Sequence, residues 1–495
     1  MGSDASEPTR LAGRAGSAAR VPPLALLVLA AALALVHLAL PLASLLRLVP
    51  LNYNEGWNAY HAEAVFSERP LYPAADALFP NNYPPLSFVL IAWLARGLGD
   101  PIRVGRLLSV AALFVIAVEI GWLARLATGS TRLGGFAAFL FVALMGACFG
   151  DYVGMNDPQL MAHALMLGGL VLVAGGQSWL RLAGAALLIG VGGLVKHSPV
   201  ALPLAITGWL FGRDRRAFGR WLAVSAGVVV AALVALLLPY GTIAFESILR
   251  PRPASLRIAA GVSPGWLAGL SAPLALALLA AQPAWRDRLA RLLLLYGALG
   301  LGVGFALTTG EGVSYNAYFD LLIALCLLGA FLLRTVQLAP ADARLAPAWV
   351  LALGMLIWPL LEAPHALLGL GPRILELEAS ETATLEDVGY LTSSAGPCLC
   401  ETLTLCFWAG KPAEVDLFNS RQDFRSGLVE EEKLLARIAR GEFAVVQLTG
   451  IWKDRDDNQV SAQLARELLR HYVVDRVSTN VVFLRPRRDP SHPAS

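Results

Sequence analysis

The sequence predicts a polytopic α-helical membrane protein with about eleven transmembrane helices, followed by a C-terminal extracytoplasmic α/β domain. Three observations carry that prediction. Hydrophobic residues make up 56% of the 495 and charged residues only 15%, against roughly 25% charge in an ordinary soluble chain. Apolar runs approaching the roughly 20 residues that a bilayer demands recur between residues 24 and 363. Beyond residue 371 the apolar runs shorten and charges crowd in.

The candidate spans are 24–46, 104–124, 133–150, 157–175, 181–195, 198–212, 221–240, 263–281, 289–308, 317–336 and 346–363. The first is too long for a signal-peptide core and lacks a small-residue cleavage site, so it reads as a membrane helix. Lys196 and Pro199 divide what would otherwise be one long helix over 181–212. One run, PPLSFVLIAWLARGLG at 84–99, opens on two prolines and reaches Asp100 after only about 15 residues. A run of that length is interfacial or re-entrant.

Arginine placement tests this threading, because short cytoplasmic loops collect Lys and Arg. With 84–99 not spanning, Arg10, Arg14 and Arg20 of the N-terminal tail (1–23) are cytoplasmic. Arg125, Arg132, Arg181 and the cluster GRDRRAFGR (212–220) fall on that side too, as do Arg286, Arg288, Arg291, Arg334 and Arg344. Letting 84–99 span puts that cluster outside, the worst available violation. The membrane domain then covers 24–371, with a large first outer loop at 47–103, and the C-terminal domain covers 372–495 outside the cytoplasm. The expected location is a bacterial plasma membrane.

Within the C-terminal domain, FAVVQL (443–448) and YVVDRV (472–477) read as strands, and VEEEKLLARIARG (429–441) as a helix. Cys148 and Cys326 read as buried apolar residues. Cys398, Cys400 and Cys406 fit no zinc spacing; an extracytoplasmic setting allows a disulfide at Cys406.

The outer loops gather an unusual set of side chains. NYNEGWNAY (52–60) presents Glu55 directly after the first span, and GDYVGMNDP (150–158) presents Asp151 and Asp157. Against the sidedness rule, Arg103, Arg106, Lys196, Arg250, Arg252 and Arg257 also lie outside. Cations at that level suit an anionic group such as a lipid-linked phosphate, and a carboxylate beside them suits proton removal from an acceptor hydroxyl. No Walker or dinucleotide fingerprint appears, and a net charge of +3 gives no reason to expect nucleic acid. Each residue has a plainer use. Glu55 and Asp157 stand where acids begin helices, Lys196 can snorkel, and Arg250, Arg252 and Arg257 can meet headgroups.

The order of these motifs resembles the GT-C membrane glycosyltransferases, the group of protein O-mannosyltransferases and aminoarabinose transferases. The matching pieces are NEGWNAYHAEAVFSERPLYP, YPPL, Arg106 in RLLSVAA, Asp157 in NDPQLMAHALM, GLVKHSP and SYNAYF, covering roughly 50–335. The resemblance implies a GT-C-like fold, a polyprenyl-phosphate-linked sugar donor, and a lipid, polysaccharide or protein acceptor. It implies an acidic base in the first outer loop. The family reads Asp-Glu there and this chain reads Asn54-Glu55, so the role is carried to Glu55, with Asp157 as second candidate. Arg106, Lys196, Arg250 and Arg252 are the expected phosphate ligands, and Asn54, Trp57, Tyr83, Tyr315 and Asn316 the expected substrate-lining residues. No cofactor or metal is expected, although a divalent ion would be compatible.

Two other functions stay open at this level. A ligase or polymerase using a diphosphate-linked glycan calls for more outer cations. A transporter or flippase calls for a polar path across the midplane, whereas the spans keep their charges near their ends, Glu119 excepted.

Overall fold

The computed structural model describes residues 24–338, 348–479 and 481–487. The expected cytoplasmic tail 1–23 and Arg344 lie outside the described residues. The bundle begins with α1 (Leu24–Ser44), α2 (Tyr53–Ala64), α3 (Leu86–Leu98), α4 (Pro101–Thr128) and α5 (Thr131–Phe149). It continues with α6 (Gln159–Ala174), α7 (Trp179–Val195), α8 (Ala201–Phe211), α9 (Arg215–Tyr240) and α10 (Thr242–Ile248). Then come α11 (Leu256–Leu267), α12 (Ser271–Arg286), α13 (Arg288–Leu307), α14 (Phe319–Leu338), α15 (Ala348–Met355) and α16 (Ile357–Ser393). Several start where a side chain satisfies first-turn amides. Asp214 accepts from the Arg216 and Ala217 amides, and Asp287 from those of Leu289 and Ala290.

Among the described residues, seven helices are long and apolar enough to cross a membrane, or eight if the bent pair α15–α16 counts as one span. Length and composition alone therefore mark fewer spans than the expected eleven. The runs at 157–175, 181–195 and 198–212 form helices of 16, 17 and 11 residues, and at 1.5 Å per residue even the longest is only about 26 Å. Helix α3 has 13 residues, and Glu55 before it touches Arg106 after it, so both ends of the intervening segment lie at one end of the bundle.

The expected boundary at 371/372 falls inside α16, whose 37 residues run on unbroken. The α/β unit proper starts at β1 (Cys398–Cys400) and adds α17 (Leu403–Trp408), α18 (Leu417–Ser426), α19 (Glu432–Ala439), β2 (Val445–Leu448), α20 (Ala462–His471), β3 (Tyr472–Val477) and β4 (Val482–Pro486). Its sheet has the order β1-β2-β4-β3, with β1 and β2 parallel and the other pairs antiparallel. Helix α19 turns Leu434, Leu435 and Ile438 inward and leaves Glu432 and Lys433 in water. Cys400 and Cys406 are disulfide-bonded and Cys398 is free.

The unit is welded to the bundle. One apolar cluster joins Trp57, Tyr60 and Phe88 to Leu403, Cys406, Val445 and Phe483. The contact is backbone-close: a Cβ on Gly56 would collide with the Thr404 amide nitrogen, so α17 can rest on α2 only over a glycine.

Candidate functional site

The end of the bundle under the C-terminal unit holds a cavity of about 850 Å³. Its wall takes residues from the first loop, from the end of α7, from the 248–258 segment, from the 306–317 segment and from α18. The expected residues divide sharply between this wall and the packing behind it.

Glu55 and Arg106 stand behind it. Both side chains are fully buried. Arg106 Nε and Nη2 donate to the two Glu55 oxygens, each at 2.7 Å. The remaining guanidinium hydrogens reach the carbonyls of Ser44, Arg47 and Val49, at 3.3, 2.8 and 2.6 Å. The amides of Leu51 and Asn156 complete the shell, donating to Glu55 at 2.9 and 3.1 Å. Arg106 thus gathers carbonyls at and just beyond the C-terminal end of α1, where helix carbonyls lack partners. Glu55 neutralises it and fixes the start of α2. This corrects two expectations. Glu55 has no oxygen to offer an acceptor, and Arg106 has no donor left for a phosphate.

Asp157 and Lys196 form a second pair, and this one borders the cavity. Lys196 Nζ donates to both Asp157 oxygens, at 2.9 and 3.1 Å. Its ammonium also lies 4.6 Å from the centre of the Tyr83 ring. Burial works against the lysine's charge, but Asp157 and Tyr83 outweigh it and raise its pKa above the ordinary value. Asp157 additionally accepts from the Gln159 amide at 2.8 Å, so it anchors the start of α6 as well as the ammonium. Lys196 lines the cavity whereas Asp157 does not.

Arg250 and Arg252 line the cavity too. Arg250 is committed to the C-terminal unit and the first loop, donating to Asp423 at 2.7 Å and to the Ala75 carbonyl at 2.7 Å. Arg252 makes no ion pair among the described residues. His197 faces the cavity, and its side chain is exposed there. Desolvation by the protein mass around the cavity, with Lys196 and Arg252 beside the ring, pushes its imidazole down to about 4, so the ring is neutral at physiological pH.

Asn54, Tyr83 and Asn316 lie on the wall, Asn316 bonded through its amide to Gln159 at 3.1 Å. Trp57 and Tyr315 do not. Trp57 is buried behind Tyr83, edge-to-face at 5.0 Å, with its indole donating to the Pro80 carbonyl. Tyr315 donates to Asp151 at 2.8 Å and faces a separate groove between α1, α5 and α16. No group of three or more His, Cys, Asp or Glu side chains able to hold a metal ion occurs among the described residues.

Two wall residues escaped the sequence reading. Glu311, in the loop after α13, is paired with Arg425 of α18. The two stand on different elements far apart in the chain, and no spacing rule links them. The signal available for Glu311 was a carboxylate between two glycines in an outer loop, TGEGVSYN.

No family model matches this sequence, and no curated protein matches it. Solved structures do. ArnT from Cupriavidus metallidurans in the apo state superposes with a TM-score of 0.60 at 14% identity, over 93% of this chain and 98% of that one. The same protein bound to undecaprenyl phosphate gives 0.58 at 14% identity, over 95% and 99%. The Archaeoglobus fulgidus oligosaccharyltransferase in the apo form gives 0.50 at 12% identity, over 86% of this chain and 69% of that one. The fold is therefore the GT-C-like one, with its C-terminal unit included.

Proposed function

We propose that this protein transfers a glycosyl group from a polyprenyl-phosphate carrier to an acceptor on the extracytoplasmic face of the membrane. The observation that carries this reading is the cationic lining of the cavity wall: Lys196, Arg250 and Arg425 are each paired with one carboxylate, and Arg252 stands there with no ion-pair partner among the described residues. An anionic ligand offsets the Arg252 charge, and each charge-assisted hydrogen bond to it contributes about 1.5–3 kcal/mol. The ArnT structure bound to undecaprenyl phosphate supports a lipid phosphate as that ligand.

In this reading Lys196 and Arg252 hold the donor phosphate and stabilise it as it leaves. Asp157 orients the ammonium, and Arg250 secures the roof. Asn54, Tyr83 and Asn316 face the sugar. Glu55 and Arg106 position α2. The acceptor is a lipid, a polysaccharide or a protein, and the site belongs to the outer face of a bacterial plasma membrane with the N-terminus cytoplasmic.

The test supplies the purified protein in lipid nanodiscs with labelled polyprenyl-phosphate sugars and a membrane acceptor fraction. Transfer of a single sugar is the expected result. Transfer only from a diphosphate-linked oligosaccharide would move the protein to the ligase class, and no transfer from any donor by folded protein would refute the reading.

A further inference from the structure

The cavity presents a chemical question. Position 54 is an asparagine, Glu55 is sealed by Arg106, and Asp157, paired with Lys196, does not line the cavity. The carboxylate that does reach the wall is Glu311. We propose, on the basis of the glycosyl-transfer reading above, that Glu311 is the base that takes the acceptor's proton.

Its placement is built. The Glu311 amide donates to the Pro253 carbonyl at 2.8 Å, and the Ser255 amide donates to the Thr309 carbonyl at 2.8 Å. These bonds zip the Glu311 loop to the segment that carries Arg250 and Arg252. A carboxylate and a phosphate-binding guanidinium are thereby set on adjoining backbone. The turn that follows needs glycine: Gly312 has φ +75°, and a Cβ there would sit 2.6 Å from the Phe418 ring. Phe418 in turn stacks on Tyr53, with ring centres 4.3 Å apart. Arg425, from the same helix as Phe418, pairs with Glu311 and lies 3.9 Å from Asp456. The C-terminal unit therefore holds the carboxylate at the wall.

The step balances as follows. The acceptor oxygen forms a bond to the anomeric carbon and its proton passes to a Glu311 oxygen. The bond from the anomeric carbon to the phosphate oxygen breaks, and its electron pair leaves on the carrier phosphate, which gains a negative charge beside Arg252 and Lys196. Glu311 then releases the proton to water.

The experiment compares the parent, Glu311→Gln, Glu311→Asp and Arg425→Met in nanodiscs, reading single-turnover transfer and binding of the labelled donor lipid. Glu311→Gln is expected to lower the transfer rate by about 10²–10⁴-fold, with donor affinity within about threefold of the parent. Glu311→Asp keeps part of the rate and controls for folding, and Arg425→Met, which releases the carboxylate it holds, lowers transfer by less than Glu311→Gln does. Transfer by Glu311→Gln at the parent's rate overturns the inference. So does a joint collapse of donor binding in Glu311→Gln and Arg425→Met, which would make Glu311 an anchor for the C-terminal unit. A parent inactive with every donor overturns the underlying function reading instead, and this inference with it.

Discussion

Two buried carboxylate–cation pairs adjoin each other, Glu55 with Arg106 and Asp157 with Lys196, joined through Asn156, whose amide donates to Glu55 and whose chain neighbour is Asp157. In both, the cation reaches both carboxylate oxygens, and both are removed from bulk water. They differ in what surrounds the cation. Arg106 directs every donor to Glu55 and to backbone carbonyls, whereas Lys196 meets Asp157, the Tyr83 face and the cavity. Burial of a charge identifies a constraint, and the donors left over decide whether that constraint is structural or functional.

The largest expected effect breaks the first pair. Arg106→Met leaves Glu55 buried without its counterion, and a change of this kind costs about 3–5 kcal/mol. Thermal unfolding in detergent should show it as a marked loss of stability, with transfer lost in proportion. The double variant Glu55→Gln with Arg106→Met should recover part of that stability, since no charge is left stranded.

The second pair should behave in the opposite way. Lys196→Met combined with Asp157→Asn removes both charges, and is expected to fold yet lose about 10²–10³-fold in transfer rate. A loss of stability matching that of Arg106→Met, with activity per folded molecule intact, would erase the distinction. Arg252→Ala sharpens it further. Arg252 has no ion-pair partner among the described residues, so its removal should leave stability unchanged and weaken donor binding by about 10–100-fold, the equivalent of about 1.5–3 kcal/mol.

The smallest effect concerns His197. Its imidazole is held down to about 4, so it stays essentially uncharged at physiological pH. His197→Gln should leave the pH profile of transfer unshifted between about pH 6 and 8. An acid limb in that window that disappears in the variant would contradict the assignment.

Much of this was legible in the chain. Hydropathy marked the long spans, and the strand at 472–477 appears with the expected bounds. Period and charge placed α19 with its apolar face inward. Arginine asymmetry argued against 84–99 spanning, and the structure sets Glu55, Asp157 and Lys196 at one end of the bundle. The short helices α6, α7 and α8 were harder, because apolar composition is shared by spans and by buried helices that stop early. The pairing of residues was not legible. Arg106 and Glu55 are 51 residues apart, so a lone outer arginine looked like a phosphate ligand until its partners were known. Glu311 was hidden for the same reason, since only the folded chain sets its loop against the 250–255 segment.

The most direct test of the cavity's role is photocrosslinking with a polyprenyl phosphate that carries a photoreactive group near the phosphate, with the modified peptides mapped by mass spectrometry. The expected result is labelling confined to peptides that contain 196–198, 250–258 or 306–317, reduced by Arg252→Ala. Labelling concentrated instead on the separate groove of His37, Asp151 and His365 would contradict the placement of the donor.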